Sequence, residues 1–358
     1  MKKLFLLILI VIITGCTNNK IQKSKVLEKE KNPTEKTEEI KKELTTEDYI
    51  EYKVDESGEV PIMMYHGIQN KRNSETEYIG GNIDKDGYQR TSEAFINDLE
   101  FYYQNGYRMI RLDDYIDGNI DVELGKSPII LTFDDGISNN LKVNGLDKKG
   151  NIIIDSNCAV GILESFKRKY PDYNVTATFF INGGLFQQKE YNEKILKWLI
   201  DNGYDIGNHT YSHVNFSEVN SDKTEEEVGK LYSLLDTIIP NKYTNIVALP
   251  FGSPYKLEHE NINYIFKSNY NGIEYITKAA LRVGWKAECS PFNIDFNPKF
   301  IKRIRAYDND GIEFDIEMNF KLLENTKYIS DGEINKIVIP KEKKEIIQNI
   351  YTNELITY

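Results

Sequence analysis

Short apolar runs alternate with segments of helical periodicity along most of the chain. The runs that we predict as strands are 60–65, 109–112, 129–133, 176–181, 205–208, 246–250, 279–283 and 302–304. Helices are predicted between them near 92–105, 159–169, 195–202, 228–235 and 259–268, several ending at a glycine or before a proline. Strands and helices that follow one another in this order indicate an α/β fold with a parallel sheet. About seven such units would close into a (β/α) barrel, whose chemistry lies at the carboxyl ends of the strands.

The first residues predict export and a lipid anchor. Two lysines precede an apolar run over 4–13, which is too short to span a bilayer, since a spanning helix needs about 20 apolar residues. The run is typical of a signal peptide, and the small residues before Cys16 resemble a bacterial lipobox. We therefore expect 1–16 to be a lipoprotein signal peptide, with lipid on Cys16 holding the protein at the outer face of the cell membrane. An ordinary cleaved signal with a chance cysteine is the alternative.

Composition divides the rest of the chain. Residues 17–58 are rich in Lys, Glu, Thr and Asn and nearly free of aromatics, which is typical of a disordered tether. The main domain is expected over 59–310, with a polar insertion at 139–156. A C-terminal extension of unassigned role follows over 311–358. The net charge is −11 and no basic stripe occurs, so nucleic acid is not an expected partner. Cys158 and Cys289 could form one disulfide or remain two free thiols, and the oligomeric state is left open.

Two adjacent carboxylates follow the strongest predicted strand. Asp134 and Asp135 come directly after the apolar run 129–133 and are followed by a glycine. Two carboxylates at one strand end repel each other unless a cation or a proton is shared. A metal on one of them, with the other left as a base, would remove the repulsion. A solvated turn is the structural alternative, and Asp113-Asp114, which we read as a helix start, shows that paired aspartates also occur without chemistry.

Two histidines stand four residues apart just after the predicted strand 205–208. His209 and His213 are two of only four histidines in the chain. Spacing of i, i+4 would place both on one face of a helical turn, which suits a metal with imidazole ligands. Imidazole together with carboxylate favours Zn²⁺ or a similar divalent ion, with Co²⁺, Mn²⁺ or Ni²⁺ as alternatives. A packed histidine pair without metal is the structural alternative.

These motifs, in this order, resemble the first three motifs of the polysaccharide deacetylases, also called carbohydrate esterase family 4. The matching segments are Phe133-Asp134-Asp135-Gly136, His209-Thr210-Tyr211-Ser212-His213 and Pro250-Phe251-Gly252. The resemblance covers roughly residues 60–305. It implies a distorted (β/α) barrel, a divalent metal that is usually zinc, and hydrolysis of N-acetyl groups on chitin-like or peptidoglycan sugars.

The resemblance also implies residue roles. Asp135, His209 and His213 would bind the metal, and Asp134 would be the general base. The backbone N–H of Phe251 would help to stabilise the tetrahedral oxyanion.

The chain departs from the common family pattern at two positions. The late Leu-x-His motif is missing, but Met64-Tyr65-His66-Gly67 resembles a circularly permuted subgroup in which an early histidine supplies the general acid. We therefore expect His66 to be the acid, with a structural core histidine as the alternative. The family arginine before Pro-Phe-Gly is also missing, and Arg303 or Arg305 could replace it; we favour Arg303.

The expected function is metal-dependent deacetylation of an extracellular polysaccharide that contains N-acetylglucosamine, such as peptidoglycan, poly-N-acetylglucosamine or a chitin-like oligomer. Trp285 could line the sugar groove, although a single aromatic residue is more often part of the core. Two alternatives stay open. One is a non-catalytic glycan-binding lipoprotein on the same fold, and the other is an acetyl-ester hydrolase acting on xylan.

Overall fold

A sheet of short parallel strands forms the centre of the molecule in the computed structural model, which describes residues 43–284, 286–348 and 350–358. The predicted signal peptide, Cys16 and most of the predicted tether lie outside the described residues, and so does Trp285. The strands are β1 (Ile62–Tyr65), β2 (Tyr107–Met109), β3 (Ser127–Phe133), β4 (Thr178–Ile181), β5 (Asp205–Asn208), β6 (Ile246–Ala248), β7 (Ala279–Leu281) and β8 (Ile304–Arg305).

Seven of these strands follow one another in the order β7-β6-β5-β4-β3-β1-β8, every neighbouring pair being parallel. The eighth, β2, pairs with the first residues of β3. A single parallel bridge between Leu281 and Ile301 joins β7 to the segment that enters β8. The predicted α/β fold, a distorted (β/α) barrel of about seven parallel strands, is therefore confirmed.

Apolar strands and amphipathic helices make the core. Every residue of β3 is buried, as expected for a parallel strand covered on both faces. The helices are α1 (Thr46–Tyr52), α2 (Ser92–Gln104), α3 (Leu112–Asp117), α4 (Ala159–Lys169), α5 (Asn192–Asp201), α6 (Ser221–Ile238), α7 (Asn261–Phe266) and α8 (Ile316–Leu323). The side chains of Thr91, Cys158 and Asn220 accept hydrogen bonds from the first turns of α2, α4 and α6. Such caps satisfy amide groups that have no partner inside the helix.

Short strand pairs and 3-10 turns lie outside the main sheet. The antiparallel pairs are Glu59–Val60 with Glu288–Cys289, Val143–Leu146 with Ile152–Ile154, and Lys267–Tyr270 with Ile273–Ile276. The parallel pairs are Ile68–Gln69 with Arg90–Thr91, and Lys336–Ile339 with Glu354–Thr357. The 3-10 turns are Asn73–Glu75, Pro171–Tyr173, Pro250–Gly252 and Lys341–Ile346. The polar insertion at 139–156 is therefore a hairpin.

The folded body begins well before residue 59. Helix α1 starts at a capping box between Thr45 and Asp48, and Val54 is fully buried against Val338. Glu56 is also buried, and its carboxylate accepts hydrogen bonds from the Tyr328 hydroxyl at 2.8 Å and the Val338 N–H at 2.8 Å. Residues 44–58 thus belong to the same compact unit as the rest of the body, which runs from Leu44 to Tyr358. Residues 44–58, which were predicted as part of the tether, are therefore folded. The C-terminal extension predicted over 311–358 lies in the same unit as the barrel.

The structure also decides three smaller predictions, which concern two helices and the cysteines. Asp113 and Asp114 lie in the first turn of α3, so the helix start predicted there is confirmed. The predicted helix 259–268 is shorter, because α7 ends at Phe266 and the chain continues as a strand. Both Cys158 and Cys289 are free thiols. Among the described residues, no helix is long and apolar enough to cross a membrane.

Candidate active site

The residues singled out from the sequence meet at the carboxyl ends of the barrel strands. Asp134 and Asp135 follow β3, and His209 follows β5. His66 follows β1, and Phe251 lies in the 3-10 turn after β6. Because the strands are parallel, their carboxyl ends open toward the same side of the sheet. The common edge brings residues from distant parts of the sequence to one place.

Asp135, His209 and His213 form one cluster. Asp135 Oδ1 lies 3.2 Å from His209 Nε2 and 3.3 Å from His213 Nε2. The three candidate ligand atoms all lie within 4.8 Å of one another. His209 Nδ1 lies 2.8 Å from the Ala248 carbonyl oxygen, which can only accept, so Nδ1 carries the proton. Nε2 is then the ring nitrogen that faces Asp135. Two imidazoles and one carboxylate, one imidazole being oriented by a carbonyl, fit a divalent ion of the zinc type.

The backbone is left-handed at four non-glycine residues of the site. The φ angle is 75° at Asp135, 63° at Thr210, 58° at His213 and 58° at Phe251. Such conformations cost free energy for L-residues and cluster at functional sites, where the surrounding structure imposes them. The histidine segment is therefore a loop, and the helical turn predicted for it from the i, i+4 spacing is wrong.

A buried glutamate holds this histidine loop. The Ser212 N–H and hydroxyl donate to the two Glu227 carboxylate oxygens at 2.6 Å and 2.5 Å. Glu227 belongs to α6, is 1% exposed, and also binds Lys223 Nζ at 2.8 Å. The backbone of Tyr211 donates to the Glu227 carbonyl as well. Nothing in the polar sequence of α6 distinguishes Glu227 from its neighbours, which is why the sequence did not reveal it.

Arg303 holds Asp134 through two parallel hydrogen bonds. Arg303 Nη1 donates to Asp134 Oδ1 at 2.8 Å, and Nη2 donates to Oδ2 at 2.7 Å. Both side chains are almost completely buried. Nη1 also donates to Thr132 Oγ1 at 3.1 Å, and Nε donates to the Arg282 carbonyl at 2.8 Å. The structure thus brings Arg303, as favoured from the sequence, onto the Asp134 carboxylate.

The two aspartates are held in the ionised form by different neighbours. Burial alone would raise the pKa of Asp134, but the Arg303 guanidinium and the neighbouring His209 lower it below its usual value. Burial also opposes ionisation of Asp135, and the hydrogen bond and charge of His209 lower its pKa strongly. Both carboxylates therefore remain charged at neutral pH, one facing an arginine and the other facing imidazoles.

His66 lies beside the aspartates with one ring nitrogen unused. Its Nδ1 is buried and has no hydrogen-bond partner among the described residues. Its ring packs edge-on against Tyr88 with centroids 4.9 Å apart. Burial lowers the pKa of His66, and the negative charges of Asp134 and Asp135 oppose that shift. The Asn140 amide donates to the His66 carbonyl at 2.6 Å and fixes the backbone there.

Phe251 lies against the candidate metal ligand His213. Its ring is 53% exposed and packs edge-on against His213, with centroids 4.8 Å apart. The structure thus gathers His66, Asp134, Asp135, His209 and His213 with Arg303 and Phe251. It does not describe Trp285.

Comparison with known families agrees with this site. Residues 121–268 match the family model for polysaccharide deacetylase. The match includes both aspartates, both histidines and Phe251, which are the residues that form the cluster above. Over this segment the chain is similar to the polysaccharide deacetylases. Enzymes of this family are generally metal-dependent, in keeping with the Asp-His-His cluster. His66 and Arg303 lie outside the matched segment.

Individual relatives match different shares of the chain. A peptidoglycan-N-acetylglucosamine deacetylase of Bacillus cereus is 32% identical over 113 residues, which is 32% of this chain and 32% of that protein. The chain thus spans about a third of the length of the curated relative it matches. Among solved structures, the Streptococcus pyogenes deacetylase PplD matches with a TM-score of 0.49 and 18% identity, covering 70% of this chain and 93% of that one.

A de-N-acetylase from Aggregatibacter actinomycetemcomitans matches with a TM-score of 0.42 and 11% identity, covering 68% and 93%. Because both TM-scores lie below 0.5, these structural likenesses do not identify a function.

Proposed function

We propose that this protein hydrolyses N-acetyl groups on an extracellular polysaccharide that contains N-acetylglucosamine, with a divalent metal as cofactor. Peptidoglycan, poly-N-acetylglucosamine and chitin-like oligomers are the candidate substrates. One observation carries the proposal: a carboxylate held by an arginine, Asp134, lies next to a three-residue ligand cluster. The match of residues 121–268 to the family model for polysaccharide deacetylase supports it independently.

Asp135, His209 and His213 would hold the metal. Bound there, the ion would supply a Lewis acid that polarises the acetyl carbonyl and acidifies a water molecule. Zn²⁺ suits two imidazoles and one carboxylate, and Co²⁺, Mn²⁺ or Ni²⁺ could replace it. The Ala248 carbonyl keeps the His209 ring oriented, and Glu227 keeps the histidine loop in place.

Asp134 would act as the general base. Arg303 keeps its carboxylate charged and fixes its plane through two hydrogen bonds. A charged, oriented carboxylate can take the proton from the attacking water as the bond to the acetyl carbon forms. The backbone N–H of Phe251 would donate to the developing oxyanion, as the family resemblance implies.

His66 would act as the general acid. Nδ1 has no partner among the described residues, and His66 follows β1 at the edge of the sheet where the aspartates and histidines lie. Protonated, the ring could donate to the amine nitrogen as its bond to the acetyl carbon breaks. Tyr88 packs edge-on against the ring and limits its rotation.

The absence of an arginine before Pro250 first suggested a glycan-binding protein without activity. Arg303, directly before β8, supplies the guanidinium instead, and both hydrogen bonds to Asp134 are formed. A module that only binds sugar has no use for a buried, arginine-held base beside metal ligands. Acetyl-ester hydrolysis on xylan would use the same groups, so only the substrate separates it from amide hydrolysis.

Acetate release tests the proposal. We would incubate the purified full chain, with and without Zn²⁺ or Co²⁺, with N-acetylglucosamine oligomers, peptidoglycan and acetylated xylan. Metal-dependent release from the N-acetylated glycans is expected, with loss in Asp134→Asn and His209→Ala. His259→Ala is the matched control, because His259 lies outside the cluster. Release from xylan alone would support the esterase, and no release from a metal-binding protein would support the binding module.

We also propose that lipid on Cys16 anchors the protein at the outer face of the cell membrane. The apolar run 4–13 and the small residues before Cys16 support this. Metabolic labelling with an alkyne fatty acid should mark the wild type in membranes. The Cys16→Ser variant should stay unlabelled, and equal labelling of both proteins would contradict the proposal.

A further inference from the structure

Two arginines, Arg303 directly before β8 and Arg305 at its end, lie two residues apart beside the candidate active site. Ile304 and Ala306 are buried in the hydrophobic core. Because side chains alternate along a strand, Arg303 and Arg305 project together on the other face, with Cα atoms about 6.6 Å apart. Arg303 is fully buried and binds Asp134. Arg305 is therefore the next step on this face toward the carboxyl end of the strand, where the site opens.

Arg305 lies between two tyrosine rings. Its Cζ is 4.2 Å from the centroid of Tyr307 and 5.2 Å from that of Tyr88. Tyr88 in turn contacts His66, the proposed acid. The Gly87 backbone approaches the Tyr307 ring so closely that a Cβ there would lie 2.1 Å from Tyr307 Cδ2. The loop before Tyr88 thus packs tightly on this stack, which holds the guanidinium against a ring that itself contacts His66.

Arg305 has no carboxylate partner among the described residues. Other buried arginines do: Arg90 pairs with Asp98 and Asp308, and Arg108 pairs with Asp172. Arg305 Nε is buried without any hydrogen-bond partner among the described residues. A half-buried guanidinium stacked on aromatic rings keeps its in-plane donors available for an anion. The chain as a whole carries −11, so a local cation is needed for an anionic polymer to bind close to the aspartates.

We propose that Arg305 binds an anionic substituent, a carboxylate or a phosphate ester, on the sugar next to the one that is deacetylated. The substrate class is then an anionic N-acetylated glycan, not a neutral chitin-like chain. This inference rests on the proposed deacetylase function. It makes Arg305 a specificity-determining residue, while Arg303 positions the base.

The test compares one glycan in charged and uncharged form. Strands of alternating N-acetylated sugars that carry lactyl carboxylates are assayed for acetate release beside the same strands after reduction of the carboxyl groups to alcohols. A third arm uses reduced strands that carry a phosphate ester, so that carboxylate and phosphate recognition are separated. The readout is the ratio of kcat/KM on the charged and reduced strands, for the full chain, Arg305→Gln and Arg305→Lys. Arg168→Gln, on the exposed face of α4, is the matched control.

The wild type should prefer a charged strand, and Arg305→Gln should lower that preference about tenfold to a hundredfold, as expected for losing a hydrogen-bonded charge pair. Arg305→Lys should keep part of the preference, since it retains the charge but not the planar fork. A purely structural role would lower kcat/KM on both strands equally and overturn the inference. Equal wild-type rates on charged and reduced strands would also overturn it. Absence of acetate release from every strand would instead overturn the proposed function.

Discussion

Arg303 and Asp134, separated by 169 positions in the sequence, form two parallel hydrogen bonds of 2.8 Å and 2.7 Å in a region sealed from solvent. A buried ion pair adds little net stability, but removing one partner leaves a buried charge that is unpaired. The pair is therefore best understood through its effect on the carboxylate, which it orients and keeps ionised.

Replacing Arg303 with lysine tests this role. Lysine keeps the positive charge but cannot make both hydrogen bonds, so Asp134 should stay charged and lose its fixed plane. We expect kcat for acetate release to fall about 10- to 100-fold with KM nearly unchanged. Arg303→Met should also unfold more easily, by about 3–5 kcal/mol, because Asp134 is left unpaired.

Steady-state kinetics and urea unfolding measure these effects, with Arg168→Gln as control. An unchanged kcat in Arg303→Lys would show that Asp134 does not need its orientation and would remove it as the proposed base.

A glycine fixes the position of Arg303. A Cβ on Gly284 would lie 1.7 Å from the Arg303 carbonyl oxygen, a clash with backbone that no side-chain movement relieves. Gly284→Ala should therefore displace the start of β8 and weaken the contact with Asp134. We expect acetate release to fall at least tenfold, together with a lower unfolding midpoint.

Gly184→Ala is the matched control, because the nearest atom to its added Cβ is the flexible Asn182 side chain at 3.3 Å. If Gly284→Ala kept full activity, the β8 backbone would not position the base.

The strands and the cluster of Asp135, His209 and His213 could be predicted because their signals are local. Buried parallel strands are continuous apolar runs, and the segments around Asp134 and His209 carry their chemistry within a few residues of a strand end. The Arg303 contact was harder to predict. The sequence left both Arg303 and Arg305 as candidates with only a preference for Arg303, and the choice follows from which of them reaches Asp134 in the folded barrel.

The boundary predicted at residue 58, between the tether and the main domain, was wrong for a related reason. Residues 44–58 have a polar composition, yet Val54 and Glu56 are buried by residues near the far end of the chain, such as Tyr328 and Val338. Composition describes what a segment could bury by itself, whereas this segment is ordered by partners almost three hundred positions away. The capping box at Thr45 was the one local signal of a helix there.

Glu227 should control metal affinity without being a ligand. It accepts two hydrogen bonds from Ser212, within the loop that carries both histidines. In Glu227→Gln one acceptor oxygen becomes an NH₂ group that faces a donor, so the loop should loosen. We expect the Zn²⁺ dissociation constant, measured by calorimetry on the full chain, to rise about 10- to 100-fold.

Glu226→Gln is the control, since Glu226 is the preceding residue on α6, is about 40% exposed and also pairs with Lys223. Equal metal affinity in both variants would mean that the loop needs no support from α6.

The buried acidic pair of Glu56 and Asp331 should make stability depend on pH. Burial raises the pKa of Glu56 well above its usual value, and the charge of Asp331 raises it further. Burial likewise raises the pKa of Asp331. A carboxyl whose pKa is higher in the folded state favours folding most when it is protonated in both states. That stability is lost as the pH rises from the unfolded pKa, near 4, through the folded value.

Asp331→Asn removes one of the two charges, so its unfolding midpoint should exceed that of the wild type by an amount that grows between pH 4 and pH 8. A gain of about 1 kcal/mol at pH 8 corresponds to about 2–4 °C for a domain of this order of size. Thermal unfolding followed by circular dichroism at several pH values measures the difference. Asp295→Asn, at an exposed position, controls for the change in net charge. A midpoint difference that stayed constant or shrank toward pH 8 would contradict this prediction. It would show that the hydrogen bonds of Glu56 and Asp331 already offset the burial and repulsion of their charges, so that the N-terminal segment joins the barrel without electrostatic cost.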